Sequence, residues 1–183
     1  NMYGYSKQLF DLWLLREHLQ SEVASLKFFN VYGPNEYHKG SMQSVVAKAH
    51  RQIRTEGRLC LFKSDVPGLA HGEQKRDFVY VKDCAVFMAW LLDRRDVCGI
   101  RNVGTGTARS FNDLGRAVFR ALGSPCRLEY VDMPPGLSGR YQNYTRADMS
   151  WLNAVDCPLT FTPLEDGVTD YVTNYLETAD PYL

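Results

Sequence analysis

The sequence predicts an α/β fold with a mainly parallel sheet and a small mixed α/β lobe beside it. Segments with helical periodicity alternate with short β-rich segments, an order typical of layered α/β domains. The 183 residues are 45% hydrophobic and 13% aromatic, a composition typical of globular rather than disordered chains. The length leaves room for one ordinary domain or an unequal pair.

The first part of the chain is predicted to hold two helices and three strands. Phe10, Trp13 and Leu14 are spaced to bury one side of the first helix. Ser41 is a residue type that favours the N-cap, so we expect it to begin the second helix. In order, the predicted elements are a helix over 3–19, a strand over 24–30, a helix over 41–55, a strand over 59–62, a polar loop over 65–74 and a strand over 77–81.

The rest of the chain is predicted to continue this alternation. Ser110 favours the N-cap and Gly123 a helix stop, and Pro163 suits a first helical turn. A further helix is expected to be capped near Lys82 and Asp83. In order, the predicted elements are a helix over 82–93, a strand over 100–103, a helix over 110–122, a strand over 127–131, a loop over 134–139 and helices over 146–152 and 163–176.

Charge and hydropathy exclude several kinds of partner. The chain has 21 Lys plus Arg against 21 Asp plus Glu, so it lacks the basic surplus that binds nucleic acid or an anionic membrane. No apolar run reaches the roughly 20 residues that cross a bilayer. The first helical pattern is charged and interrupted, which does not fit a signal peptide. We therefore expect neither a nucleic-acid partner nor a membrane partner.

Cysteine and histidine spacing argues against disulfides and metal sites. Five cysteines are scattered and none forms a CxxC pair, so we interpret them as reduced thiols of a cytoplasmic protein. His18, His50 and His71 have no ligand spacing and are predicted to lie on the surface. No metal ligand is predicted.

Tyr3 and Lys7 form the most informative pair. Four residues apart, they share one face of a helix. An ammonium near a phenol favours the phenolate, which supplies an acid/base group for a substrate hydroxyl whose carbon loses a hydride. The alternative interpretation is a surface pair at chance spacing.

Two further stretches carry a resemblance to a known superfamily. With the YxxxK pair, KFFNVYGP at 27–34 and RDFVYVKD at 76–83 resemble the extended short-chain dehydrogenases/reductases, in order along nearly the whole chain. That superfamily includes nucleotide-sugar epimerases and dehydratases, and it implies the C-terminal part of a Rossmann-like parallel-sheet domain. By this resemblance, 1–34 end the dinucleotide-binding domain, while 35–183 form the substrate-binding lobe, with about 77–103 returning to the Rossmann sheet.

The segment EYHKGSM at 36–42 resembles one family more closely, the ADP-L-glycero-D-manno-heptose 6-epimerases. The resemblance implies that Tyr3 and Lys39 are the two catalytic acid/base groups, with Lys7 assisting Tyr3. An epimerase addresses both faces of one carbon, so two proton-transferring groups on opposite sides suit it. A solvated loop lysine is the alternative interpretation of Lys39.

The resemblance also implies binding residues. Lys7, Val31 and Lys39 would contact the cofactor. The substrate contacts it implies are Asn30, Ser41, Lys48, Phe62, Lys63, Ser64, Asp65, Arg76 and Tyr141.

Some of these residues have a second interpretation or depart from the family. Arg76 would grip the diphosphate of a nucleotide sugar, or else pair with Asp77 or another nearby carboxylate. Ser41 would hold a phosphate at the start of its helix, where N–H groups point outward. Lys48 stands where the family shows a histidine. Gly104-Thr105-Gly106 is only part of a dinucleotide motif, so we interpret it as a structural turn.

The activity implied is interconversion of ADP-D-glycero-D-manno-heptose and its L-glycero epimer by transient oxidation with bound NADP, or NAD. The resemblance further implies a cytoplasmic homo-oligomer, with a pentamer as the expected state. Alternatives are another nucleotide-sugar 4-epimerase or dehydratase, or a non-catalytic fragment of this fold. No GxxGxxG loop precedes Tyr3, so we expect an N-terminal half to be absent and the 183 residues alone to be inactive.

Overall fold

The computed structural model describes residues 2–182 and has the predicted mixed α/β architecture. Three of its four strand pairings are parallel: β1 with β5, β2 with β4, and β3 with β7. The fourth pairs β4 with β6 in antiparallel order. The helices are α1 (Met2–Arg16), α2 (Val45–Glu56), α3 (Val81–Leu92), α4 (Phe111–Ala121) and α5 (Leu164–Tyr171). The strands are β1 (Ala24–Phe28), β2 (Asn30–Tyr32), β3 (Leu59–Phe62), β4 (Lys75–Tyr80), β5 (Gly99–Val103), β6 (Ala108–Ser110) and β7 (Leu128–Val131).

The main core lies where α2, α4 and α5 pack on the β2–β4 pair. Leu114, Val118 and Val168 are fully buried between these elements. Tyr171 is also fully buried, and with Val172 it joins α5 to the π-helical turn Val172–Leu176 that continues it. The prediction of one helix over 163–176 therefore combined two helical forms.

Ser110 begins α4 as predicted. Its Oγ accepts a hydrogen bond from the Asp113 amide, and the Asp113 carboxylate accepts one from the Ser110 amide, which completes a capping box. Beyond the other end, Gly123 adopts a φ of +61°, and its amide bonds to the Arg120 carbonyl. The Ser124 amide bonds to the Phe119 carbonyl, so the helix ends in a Schellman motif.

Two predicted helix caps are wrong, for the same physical reason. The second helix begins at Val45 with Ser44, not Ser41, as its N-cap. The third begins at Val81 after Tyr80, and Asp83 instead accepts hydrogen bonds from the amide and hydroxyl of Thr162. In both places a carboxylate makes contacts distant in sequence that decide the geometry, and local pattern does not reveal them.

Several other predicted bounds also differ. The first helix ends at Arg16 rather than residue 19, just before His18 at a φ of +57°. The predicted strand 24–30 is two strands, because β1 pairs with β5 whereas β2 pairs with β4. The helix predicted over 146–152 is a 3-10 helix, Ser150–Ala154. Residues before it run beside β4, where Tyr144 bridges to Lys75.

Candidate active site

Tyr3 and Lys7 lie one turn apart on α1, as their spacing predicts. The Lys7 Nζ is 5.4 Å from the centre of the Tyr3 ring, and both side chains are exposed. Together with Phe28 of β1 they line an open concavity of about 790 Å³. An ammonium at this distance interacts favourably with the aromatic ring and raises the local positive potential.

A second lysine in this concavity is neutralised. The Lys27 ammonium pairs with the carboxylate of Asp11, which is buried in α1 and also accepts a hydrogen bond from Ser25 Oγ at 3.3 Å. Within residues 2–182, Lys7 has no carboxylate partner. Lys7 is therefore the cation of this concavity that is available to a ligand.

Lys39 lines a second concavity, of about 300 Å³, which is formed largely by residues 29–46. Asn30 and Val31 of β2 line it together with Lys39, Glu36 and Met42. Lys39 is exposed and lies in the 3-10 segment Tyr37–Met42. The structure thus brings Asn30, Val31 and Lys39 together, while Tyr3 and Lys7 line a different concavity that shares no lining residue with this one.

Ser41 does not occupy the position that motivated its assignment. It is an exposed residue of the 3-10 segment, ahead of the N-cap Ser44, whose Oγ accepts the Ala47 amide at 3.3 Å. The Ser44 amide is itself bound to Glu36. The expectation that Ser41 presents a helix N-terminus to phosphate is therefore wrong, because the helix begins later and its first amide is occupied.

Arg76 is buried, and no carboxylate of residues 2–182 forms an ion pair with it. Its side chain on β4 is 7% exposed, and its guanidinium carbon lies 5.1 Å from the Tyr141 ring centre and 5.7 Å from that of Phe111. Its Nη1 donates to the Lys75 carbonyl at 2.8 Å. Burial lowers the pKa of the Arg76 guanidinium. An arginine side chain nevertheless stays charged in proteins. A buried cation with no described carboxylate partner is costly alone and suits an anionic ligand.

The alternative pairing of Arg76 with Asp77 is wrong. Asp77 is fully buried, and its two oxygens accept four hydrogen bonds from other groups. The Thr105 amide and hydroxyl donate at 2.8 and 2.7 Å, the Gly106 amide at 2.9 Å and the Ala147 amide at 3.0 Å. The turn 104–106 is thus held by a carboxylate and is structural, as predicted.

A third concavity of about 260 Å³ lies beside the Arg76 stack. Lys48 of α2, Phe62 of β3, Phe111 of α4 and Tyr141 all line it. The Phe62 and Tyr141 rings meet edge to face, 6.2 Å apart at 87°. Aromatic walls with one or two cations match the needs of a nucleotide, whose base stacks and whose phosphates are anionic.

The side chains of the three residues that follow Phe62 make contacts outside this concavity. Lys63 pairs with Asp132 at 2.9 Å, and Ser64 Oγ donates to the Val66 carbonyl at 3.3 Å. Asp65 accepts the Gly139 amide at 2.7 Å and the Ser138 hydroxyl at 3.3 Å. The structure therefore brings Phe62 to the concavity with Tyr141, whereas Lys63, Ser64 and Asp65 do not line it.

Sequence reasoning missed two residues of this region, Glu36 and Phe111. Phe111 follows the Ser110 cap and so resembles a core residue of the helix start. Glu36 lies in the segment 36–42 that was singled out, but its burial depends on contacts with Ser44 and Tyr171. No local signal distinguishes such a carboxylate from an exposed one.

Other expectations concern sites outside these concavities. Within residues 2–182, no group of three or more His, Cys, Asp or Glu residues is placed to hold a metal ion. Nor does that range contain a helix long and apolar enough to cross a membrane. The five cysteines are unpaired. His50 does not lie on the bare surface as expected: it is half-buried, with its Nε2 2.5 Å from Glu177 Oε1.

The fold and the helix that carries Tyr3 and Lys7 match a known protein family. The model of the NAD dependent epimerase/dehydratase family matches residues 1–104. The chain belongs to this family.

The chain is also similar to curated proteins of one particular kind within this family. An ADP-L-glycero-D-manno-heptose-6-epimerase of Nitratidesulfovibrio vulgaris strain DP4 is 59% identical over 183 residues, covering 100% of this chain and 57% of the relative. One of Fusobacterium nucleatum subsp. nucleatum is 45% identical over 190 residues, with the same coverage. The chain therefore spans little more than half the length of the curated relatives it matches.

Solved structures show the same fold. The ADP-L-glycero-D-manno-heptose-6-epimerase of Helicobacter pylori matches with a TM-score of 0.77 and 29% identity over 95% of this chain and 51% of that one. The UDP-glucose 4-epimerase of Thermus thermophilus, in complex with NAD, matches with a TM-score of 0.70 and 27% identity over 93% and 52%. The similarity extends to more than one nucleotide-sugar epimerase.

Proposed function

We propose that this chain supplies substrate-binding and acid–base residues of an ADP-L-glycero-D-manno-heptose 6-epimerase. The observation that carries the proposal is the buried Arg76 guanidinium, stacked on Tyr141 and Phe111 without a described carboxylate partner. It lies beside an aromatic concavity of about 260 Å³. A nucleoside diphosphate joined to a sugar provides the base and the anion that these groups lack. The 59% identity to a curated heptose epimerase favours ADP-heptose as that nucleotide sugar.

Tyr3 and Lys39 are proposed as the two proton-transferring groups. Tyr3 accepts the proton of the sugar hydroxyl as its carbon loses a hydride, which leaves a ketone. After hydride returns to the opposite face of that carbon, Lys39 as an ammonium donates a proton to the oxygen. The reverse reaction exchanges the two roles. Each forward turnover leaves Tyr3 protonated and Lys39 neutral, and proton exchange with the solvent restores both groups. The hydride returns to the sugar, so no net oxidant is needed.

The residues around Tyr3 fit a nicotinamide cofactor. Lys7 is an exposed cation without a described carboxylate partner, in an open concavity of about 790 Å³, so it can donate hydrogen bonds to a ribose. Val31 and Lys39 line the second concavity and are proposed as further contacts. When bound, the nicotinamide accepts the hydride and gives it back.

The decisive experiment uses a chimera, in which this chain replaces the matching segment of the Nitratidesulfovibrio vulgaris relative. The purified chimera is incubated with ADP-D-glycero-D-manno-heptose and separately with UDP-hexoses, and the epimers are separated by chromatography. We expect turnover of the ADP-heptose alone. Turnover of UDP-hexoses alone would instead support a 4-epimerase, and turnover of neither would support a non-catalytic fragment.

Two variants test the proton-transferring pair. Tyr3→Phe and Lys39→Met are each expected to lower kcat by about 100-fold or more, since acid–base catalysis contributes about that much. Tyr5→Phe on the same exposed helix, and Arg120→Met on α4, are matched controls that line none of the three concavities. Unchanged kcat in both Tyr3→Phe and Lys39→Met would reject the pair.

NADP as the cofactor, with NAD as the alternative, is proposed on the resemblance, as are a homo-oligomer and a cytoplasmic location. Chromatography of nucleotides released by heat from the enzyme of the source organism distinguishes NADP from NAD. Light scattering on that enzyme measures its oligomeric state, and cell fractionation its location. A monomer or a membrane fraction would contradict the last two proposals.

A further inference from the structure

Glu36 is a buried carboxylate beside the segment that carries Lys39. It is 4% exposed and accepts three hydrogen bonds: from the Ser44 amide at 2.5 Å, the Ser44 hydroxyl at 2.6 Å and the Tyr171 hydroxyl at 2.9 Å. No Lys, Arg or His within residues 2–182 forms an ion pair with it. Its two oxygens are satisfied by these three donors.

These bonds close a loop around Lys39. Glu36 and Ser44 lie on either side of the 3-10 segment Tyr37–Met42, and Lys39 lies within it. A second bond closes the same loop, from Gln43 Nε2 to the Tyr37 carbonyl at 3.1 Å. Directly after Lys39, Gly40 has a φ of +53°, in the left-handed region that favours glycine. The backbone around Lys39 is thus fixed on both sides.

The hydrogen bond from the Tyr171 hydroxyl to Glu36 connects this loop to the hydrophobic core. Burial, and then the charge of Glu36, raise the pKa of Tyr171, so its hydroxyl stays protonated and donates. Tyr171 is fully buried in α5. By contrast, the Lys39 side chain is exposed and has no ion-pair partner in the part of the chain described. Its direction therefore depends on the backbone that Glu36 holds.

We propose that Glu36 is a positioning residue, which fixes the 37–42 segment so that Lys39 reaches the oxygen on the reacting sugar carbon. This inference rests on the proposed function, because it assigns Lys39 to proton transfer. Proton transfer depends steeply on geometry, and a misplacement of about 1 Å can cost about 100-fold in rate. Glu36 touches neither substrate nor cofactor in this role.

The test compares three substitutions in the chimera. Glu36→Ala removes all three bonds and is expected to lower kcat by about 10- to 100-fold, with KM for ADP-heptose changed less than about 3-fold. Glu36→Gln is expected to stay within about 5-fold of the parent kcat, because its amide can accept from the Ser44 amide and donate to the two hydroxyls. Glu177→Gln is the control, because this carboxylate binds Arg54 and His50 of α2, away from Lys39.

A structural role alone would give a different pattern. It would lower the thermal midpoint of Glu36→Ala, but the folded variant would keep a kcat close to that of the parent. Glu36→Gln would then change the thermal midpoint and not kcat. An effect of Glu36→Ala on kcat no larger than that of Glu177→Gln, or an effect on KM alone, would overturn the proposal. If Glu36→Ala does not fold, Tyr171→Phe decides: it removes one bond, and an unchanged kcat would overturn the proposal.

Lys39→Met separates this inference from the proposed function. A loss of kcat in Lys39→Met with full activity in Glu36→Ala would reject only the positioning role. Full activity in Lys39→Met would reject the role of Lys39, and the positioning role with it.

Discussion

The guanidinium carbon of Arg76 lies 5.1 Å from the centre of the Tyr141 ring and joins strand β4 to a loop far along the chain. The loop reaches this position because residues 143–145 run beside β4. The Lys75 amide donates to the Asn143 carbonyl at 2.9 Å, and the Thr145 amide donates to the Lys75 carbonyl at 3.1 Å. This backbone pairing therefore places the Tyr141 ring against the buried Arg76 guanidinium.

Arg76→Met in the chimera is expected to raise KM for ADP-heptose by about 30-fold or more, because removing one member of a buried charge pair costs several kcal/mol. Arg76→Lys is expected to recover only part of this, because an ammonium cannot bind a diphosphate through a planar fork. Steady-state kinetics measure both. Arg127→Met is the control, since Arg127 is exposed and its ion-pair partner is Glu129. A KM for Arg76→Met equal to that of the control would contradict the assignment.

Asp77→Asn is expected to lower the free energy of unfolding by about 3 kcal/mol, because an amide cannot accept all four bonds that the buried carboxylate accepts. Two amides of the turn 104–106 and one from residue 147 compete for its single oxygen. Urea unfolding followed by tryptophan fluorescence measures the change. Asp132→Asn is the matched control, because that side chain is 86% exposed. Equal midpoints for the two variants would show that the network contributes little.

The elements that could be predicted from sequence are those fixed by neighbouring residues. Ser110, Asp113 and Gly123 define α4 through bonds within a few residues, and that helix was predicted to within one residue at each end. The YxxxK pair likewise needs only a helix. Strand β6 has three residues, and its antiparallel pairing with β4 exists only in the folded chain, so it was not predicted.

In the candidate site, too, some residues could be predicted from local motifs, whereas others depend on contacts distant in sequence. The predicted residues Phe62, Lys48 and Tyr141 line one concavity, and Asn30, Val31 and Lys39 another, because the family motifs mark them. The prediction that Ser41 caps the second helix is wrong, because Ser44 caps it and bonds to Glu36, eight residues earlier in the chain. The assignment of Ser41 as a substrate contact stays a prediction. The helix predicted over 146–152 begins only at Ser150, after residues 143–145 that pair with Lys75 of β4. Long-range partners of single polar groups decided these positions.

Stability is expected to fall in acid partly through Glu165. Two hydrogen bonds from the Arg109 guanidinium, at 2.5 and 3.1 Å, lower the pKa of Glu165 below its ordinary value. A carboxyl whose pKa is lower folded than unfolded binds fewer protons when folded. Its stabilising contribution is therefore complete above the unfolded pKa of about 4.3 and is lost as pH falls through the folded value.

Glu165→Gln is thus expected to destabilise the protein at pH 7, and the difference from the parent is expected to shrink below about pH 4. Thermal unfolding between pH 3 and pH 7 measures this difference. Glu22→Gln, at an exposed residue without an ion pair in the described range, is expected to show none. A difference at Glu165 that is constant with pH would exclude a protonation effect.

Lys48 is expected to contribute long-range attraction to the anionic substrate. It is exposed on α2, lines the concavity of Phe62 and Tyr141, and has no acidic partner within residues 2–182. Lys48→Met in the chimera is expected to raise KM for ADP-heptose by about 3- to 10-fold at low salt, and less at 0.5 M NaCl, because salt screens exposed charges. Lys48→His, which introduces the residue that the family resemblance implies at this position, is expected to fall between the parent and Lys48→Met. Arg120→Met, an exposed cation outside the concavities, should leave KM and its salt dependence unchanged. A salt-independent effect of Lys48→Met would assign Lys48 to packing rather than to charge.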